Sequence, residues 1–131
     1  MHWHIEPSNG LAIYDQIVRQ IKFAIAGGPI REGELAPGVR ELARDLTINP
    51  NTVARAYQQL QFEEILETAR GTGMVVKKAA TARCRKERRE LIQERLNSAL
   101  LEARKSGIAT SELRTLLDKE LKRLEKEEAS A

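Results

Sequence analysis

The chain has 131 residues, is 41% hydrophobic and 31% charged, and carries a net charge of +3. That length suits one domain, or one small domain with an appendage, and excludes two independent mid-sized domains. A mixture rich in Ala, Leu, Glu, Lys and Arg fits a mostly helical fold, and no apolar run approaches the ~20 residues a membrane helix needs.

The start, Met1-His2-Trp3-His4-Ile5-Glu6, lacks the basic and then apolar regions of a signal peptide. The expected location is therefore the cytoplasm, with no membrane partner. The single cysteine, Cys84, can form neither an intrachain disulfide nor a Cys-based zinc site. Its basic neighbours would favour a thiolate, so a redox role stands beside inert packing. His2 and His4 would share one face of a strand, but two ligands do not make a metal site. No metal and no cofactor are expected.

In chain order, Trp3 to Glu6 alternates large and polar residues as a short strand does, and Pro7-Ser8-Asn9-Gly10 breaks it. A helix follows from Leu11, with Ile13, Ile17, Ile21 and Ile25 recurring every four residues, and Asp15, Arg19, Gln20 and Lys22 elsewhere on the wheel. Gly27-Gly28-Pro29 ends it. Ile30 to Gly38 reads as a loop. A short helix spans about residues 39–46, with Val39, Leu42, Ala43 and Leu46 on one face. Thr47-Ile48 begins a tight turn, and Asn49-Pro50 opens the next helix as N-cap and N1. Val53, Ala56, Tyr57 and Leu60 form its buried stripe. Segments 65–69 and 74–77 flank Arg70-Gly71-Thr72-Gly73 as a hairpin.

From residue 80 the character changes. Two amphipathic helices, about 81–105 and 111–128, are separated by Ser106-Gly107. Ile92, Leu96 and Leu100 stripe the first; Leu113, Leu117, Leu121 and Leu124 stripe the second. A lone helix pair of this size buries too little to be stable alone. A second copy of the chain is the simplest supplier of the missing face, making these leucines a dimerisation surface. The division is thus 1–79 and 80–131.

Two short helices, a tight turn and a β-hairpin make the layout of a winged helix-turn-helix, and the expected fold is mostly α with a small β-wing. The second helix of such a unit presents its N-terminal turn to the major groove. Asn51, Thr52, Arg55 and Gln59 avoid the apolar stripe and are of the types that bond base edges and phosphates. Arg70 precedes a Gly-x-Gly tip, where backbone approaches closely and arginine enters a narrow minor groove. Charge gives little help. Residues 1–80 hold nine basic and nine acidic residues, and residues 81–131 carry the whole excess. Five of the basic residues there, Arg83, Arg85, Lys86, Arg88 and Arg89, form either a solvated face or a phosphate-contacting patch.

On these residues the chain resembles the GntR family of bacterial regulators. The likeness runs through Ala12-Ile13-Tyr14-Asp15-Gln16-Ile17, then Gly33 to Pro37 and Val39-Arg40-Glu41-Leu42-Ala43. Asn49-Pro50-Asn51-Thr52-Val53-Ala54-Arg55-Ala56-Tyr57, Leu66-Glu67-Thr68 and Arg70-Gly71-Thr72-Gly73 extend it. The Asn-Pro-Asn-Thr-Val signature and the short two-helix tail are similar to the YtrA subfamily. The resemblance implies DNA contacts by Arg40, by Asn49, Asn51 and Thr52, and by Arg70 and Gly71 of the wing. It further implies a dimer on an inverted-repeat operator, usually a repressor, in a subfamily often linked with ABC-transporter operons. Three positions depart from the family. Ala36 stands where leucine is usual, with the loss of a small apolar contact. Gly38 stands where a serine N-cap is usual, and Glu64 where glycine is usual. If the backbone keeps φ > 0 at Glu64, the side chain costs ~1 kcal/mol.

The rival reading is a protein–protein adaptor that uses the winged scaffold without reading DNA, which the neutral charge of residues 1–80 favours. An enzyme is a poor third, since no nucleophile–base pair, metal cluster or phosphate loop is present. No motif names an effector, and the tail is too small for an ordinary pocket of ~300 Å³ unless the dimer interface forms one.

Overall fold

The computed structural model describes residues 3–6, 11–69, 71 and 73–130. Its elements are α1 (Ile13–Gly27), α2 (Val39–Leu46), α3 (Pro50–Phe62), β1 (Leu66–Ala69), β2 (Gly73–Val76), α4 (Ala80–Lys105) and α5 (Thr110–Ser130). Contacts divide the chain into two compact units, Met1–Arg89 and Glu90–Ala131. The fold is mostly helical with a two-stranded antiparallel wing, as the periodicities imply.

The first unit has one core. Ile17, Ile21 and Ile25 of α1 meet Leu42 of α2, Val53 and Leu60 of α3, and Val76 of β2, all essentially solvent-free. Ile13 lies outside that stripe and is 41% exposed, because it only opens the helix. Gly28, at φ 100°, caps α1 in the left-handed conformation that glycine adopts without strain. Between α2 and α3, Thr47 takes the left-handed C-cap at φ 56° and donates its amide to Arg44. Asn49 then caps α3 as expected, its Oδ1 accepting the Asn51 amide at 2.8 Å. Two residues thus make the sharp turn of a helix-turn-helix.

The alternating segment at the N-terminus is not a strand; His2 and residues 7–10 lie outside the described residues. Its amides are satisfied by two glutamines of α1 instead. Gln16, 95% buried, accepts from the Glu6 amide and donates to the Glu6 carbonyl, both at 2.8 Å. Gln20, one turn on, accepts the His4 amide and donates to the His4 carbonyl. Side chains four apart on a helix therefore serve residues two apart on an extended arm, which lays Trp3 and Ile5 against the core.

The stretch 30–38 is more than a loop. Gly33 and Ala36 donate amides to Val76 and Met74, each at 2.8 Å, and Val76 donates to Glu34 at 3.0 Å. A bridge between Leu35 and Val75 makes this segment a rudimentary third strand on β2. In the wing itself Leu66 pairs with Val76 and Ala69 with Gly73. Glu64 does adopt φ 63°, so the departure from glycine carries the expected strain.

The second unit is a helical hairpin. No residue of α5 is buried, and Gly107 at φ 85° turns the chain between α4 and α5.

At the head of α2, Gly38 has φ −61° and supplies no side-chain cap, while Glu41 stands at N3. A side chain grafted at Gly38 would meet Glu41 at an ordinary 3.9 Å. Gly38→Ser completes a Ser-x-x-Glu capping box, and is expected to raise stability by about 0.5 kcal/mol in chemical denaturation.

Candidate nucleic-acid interface

The first unit exposes a polar face built from α2, the start of α3 and the wing. Arg40 is fully displayed on α2, and Arg44 lies one turn further on the same flank. Glu41 and Asp45 hold the adjoining flank, so this eight-residue helix is basic on one side and acidic on the other. Arg44 was not among the residues expected at the site; its i, i+4 spacing from Arg40 is the signal that could have found it.

On α3, Asn51 is exposed and Thr52 half-buried, both in the first turn. The side-chain oxygen of Asn49 is committed to capping, which leaves its amide hydrogens free to donate outward. The first-turn amides at this end favour an anion. Arg55 behaves differently. Its guanidinium lies 3.9 Å from the centroid of the Tyr14 ring, a cation–π contact joining α3 to α1. Gln59 donates to Glu63 at 2.9 Å and so is drawn to the far end of the helix. In the wing, Gly71 is exposed at φ 73°, whereas Arg70 and Thr72 lie outside the described residues.

Three connections keep this face in position. The Tyr57 hydroxyl donates to the Pro37 carbonyl at 2.5 Å, tying α3 to the entry of α2. Burial, reinforced by the Glu41 charge, pushes the Tyr57 phenol well above its ordinary value, so it stays a donor. Lys22 of α1 reaches Glu63 at 2.6 Å and Glu87 of α4 at 2.7 Å. The sequence wheel set Lys22 outside the apolar stripe, yet its side chain is only 14% exposed. Burial works against the Lys22 charge, but its two carboxylate partners outweigh that and hold its pKa above the lysine range. Glu63 mirrors it: burial pushes its pKa up, while Lys22 and Gln59 pull it below the usual glutamate value.

The basic run opening α4 is partly absorbed by the same unit. Arg85 donates through Nε to the Ala26 carbonyl at 2.9 Å, capping the C-terminal end of α1. Arg83 reaches the Glu64 carbonyl at 3.5 Å. Cys84 is solvent-free, and burial, with Glu87 nearby, pushes its thiol up to about 11. The basic neighbours do not yield a thiolate, and a redox role has no support. His4 pairs with Glu6 at 2.5 Å. Among the described residues no group of His, Cys, Asp or Glu could hold a metal ion, and no helix is long and apolar enough to cross a membrane.

A helix-turn-helix with a hairpin wing and a displayed polar first turn on its second helix defines the class of winged-helix transcription regulators. The family model for bacterial regulatory proteins of the gntR family matches residues 13–76. The HTH-type transcriptional repressor YtrA of Bacillus subtilis is 35% identical over 109 residues, covering 83% of this chain and 84% of that protein. A GntR family transcriptional regulator from Listeria monocytogenes superposes with a TM-score of 0.67 at 33% identity, covering 86% of this chain and 97% of that one. YtrA from Sulfolobus acidocaldarius, a GntR-family transcription factor, gives 0.56 at 33% identity, with 72% and 96% covered. The chain belongs to the GntR family and is YtrA-like within it: a DNA-binding transcriptional regulator.

The Lys22 node makes a stability prediction. Glu63, with its lowered pKa, contributes stability at neutral pH that is lost as pH falls through its folded value. Lys22, with its raised pKa, contributes stability that is lost only as pH rises through its own. Lys22→Met is expected to lower unfolding stability at pH 7 by about 1–3 kcal/mol, discounted from a fully buried pair. The variant's stability should also fall less steeply than the parent's under acid, which denaturation across pH measures.

Proposed function

We propose that the chain is a dimeric repressor that reads an inverted-repeat operator. Residues 1–79 act as the reading head, and residues 80–131 hold two copies together. Arg40 grips phosphate or base, Asn49, Asn51 and Thr52 meet the major groove, and Arg70 and Gly71 track the minor groove. Arg55 contributes from its position against Tyr14. An ABC-transporter operon is the target that the subfamily resemblance supports.

The observation that carries the dimer is the bare leucine face of the tail. Ile92, Leu96, Leu121 and Leu124 are each about half exposed, and Leu117 is 39% exposed. Leu101 and Leu116 are exposed as well, while Leu100 and Leu113 are half-buried along the hairpin's own groove. Apolar rows of this extent on a hairpin without a buried residue are stable in water only when covered. The YtrA of Bacillus subtilis is called a repressor, which supports the same sign of regulation here.

Binding to the chain's own promoter region is expected to weaken steeply with salt, because neutralised phosphates release counterions. Arg40→Ala should weaken binding and reduce the salt slope by about one for each half-site engaged. Leu117→Asp with Leu121→Asp should sediment as a monomer, lose the discrete operator complex and lose the tail's share of the helical circular dichroism while keeping that of the first unit. A parent protein that sediments as a monomer, or binds promoter and random DNA equally, overturns the reading.

A further inference from the structure

One cleft of the first unit takes no part in the reading above. It encloses about 710 Å³, inside the range of small-molecule sites. The N-terminal arm, the rudimentary strand and α2 form its walls. Trp3, Ile30, Leu35, Val39 and Met74 supply an apolar lining, with Leu35 52% exposed at its mouth. The charged side chains in the lining are Glu34, Glu41 and Asp45, and no lysine or arginine is among the described residues that line it.

Sign and shape together narrow the occupant. DNA is excluded, since three carboxylates repel phosphate. A neutral apolar molecule would cover these carboxylates without giving them a partner, which costs desolvation. One oxygen of Glu34 is already engaged by the Arg31 amide at 2.7 Å. Glu41 and Asp45 make no ion pair with any described residue. They stand four apart on α2, on one flank, with an indole across the cleft whose face attracts cations.

We propose that this cleft binds a small amphipathic organic cation, its ammonium or guanidinium between Glu41 and Asp45 and its apolar body against Trp3, Leu35 and Met74. The site lies in the reading head. Occupancy also has a direction. A cation on the acidic flank of α2 offsets the negative charge beside Arg40 and Arg44, so a loaded head meets phosphate with less repulsion. This coupling rests on the DNA reading; the binding itself does not.

Trp3 is the single tryptophan of the chain, so its emission reports the cleft directly. The full chain is titrated with 3-phenylpropylammonium, 3-phenylpropanol and 3-phenylpropionate, exciting Trp3 selectively. The ammonium is expected to give a saturating change and to bind at least about ten-fold tighter than the alcohol, with no response to the carboxylate. Glu41→Gln with Asp45→Asn should bring the ammonium to the level of the alcohol with circular dichroism unchanged. Leu35→Arg, at an exposed position, should abolish the response by filling the mouth with the chain's own cation, and it stands in if the double variant fails to fold. Equal response to ammonium and alcohol, a response that never saturates, or full binding by the folded variants overturns the proposal. Promoter affinity measured with and without the ammonium then reads the coupling separately: a rise supports it, and no change removes the coupling while leaving the site.

Discussion

The first unit depends on one ammonium group. Lys22 projects from the middle of α1 and meets a carboxylate at the end of α3 and another in the second turn of α4. Helices α1 and α3 also share the apolar core, but that core fixes separation better than rotation, because greasy contacts slide. An ion pair at 2.6 Å does not slide. It sets the far end of α3, and therefore the aim of Asn51 and Thr52 about three turns away. The same nitrogen holds the root of α4, where Arg85 adds a bond to the end of α1 and Cys84 packs without solvent. The reading helix and the start of the tail are thus referred to one residue of the scaffold helix.

A neutral reading head is less of a paradox once charge is resolved by flank. Residues 1–80 carry equal numbers of basic and acidic side chains. On α2, however, the spacing Arg40-Glu41-x-x-Arg44-Asp45 sorts the signs one residue apart, and a step of about 100° per residue turns them onto different sides. Within a Debye length of about 8 Å, such separation matters more than the net sum. On the proposed reading, phosphate approaching the basic flank would feel Arg40 and Arg44 from nearby and the carboxylates from behind.

Much of this was legible in the sequence, and the reasons are specific. The Asn49-Pro50 pair declared the start of α3 because capping chemistry is local, and Gly28 declared the end of α1 for the same reason. The glycine-rich tip between two short segments declared the wing, whose strands are only four residues each. What escaped was non-local. Lys22 reads as a surface lysine until α3 and α4 are folded beside it. Gln20 reads as a wheel polar, and Gln16 only as part of the family likeness, until an extended arm needs its amides satisfied. Arg55 was assigned outward by its place off the apolar stripe, and only the position of Tyr14 on α1 shows where its guanidinium rests. The rudimentary strand at Leu35 was hidden because its bonds go to β2, some forty residues on.

The tail poses the converse problem, where sequence and structure agree but neither unit explains the other. A hairpin of two long helices with no buried residue in α5 cannot owe its order to its own packing. On the proposed dimer, each exposed leucine row is covered by the partner's, and folding of the hairpin becomes linked to protein concentration. Two heads joined in this way raise each other's effective concentration on adjacent half-sites, so modest contacts per head add to a firm grip. A neutral head then has an advantage that a strongly basic one lacks. A single head has little hold on random DNA, and binding rises only where two half-sites are spaced to suit both. On that proposal, specificity comes as much from the leucines that touch no base as from the asparagines assigned to base contact.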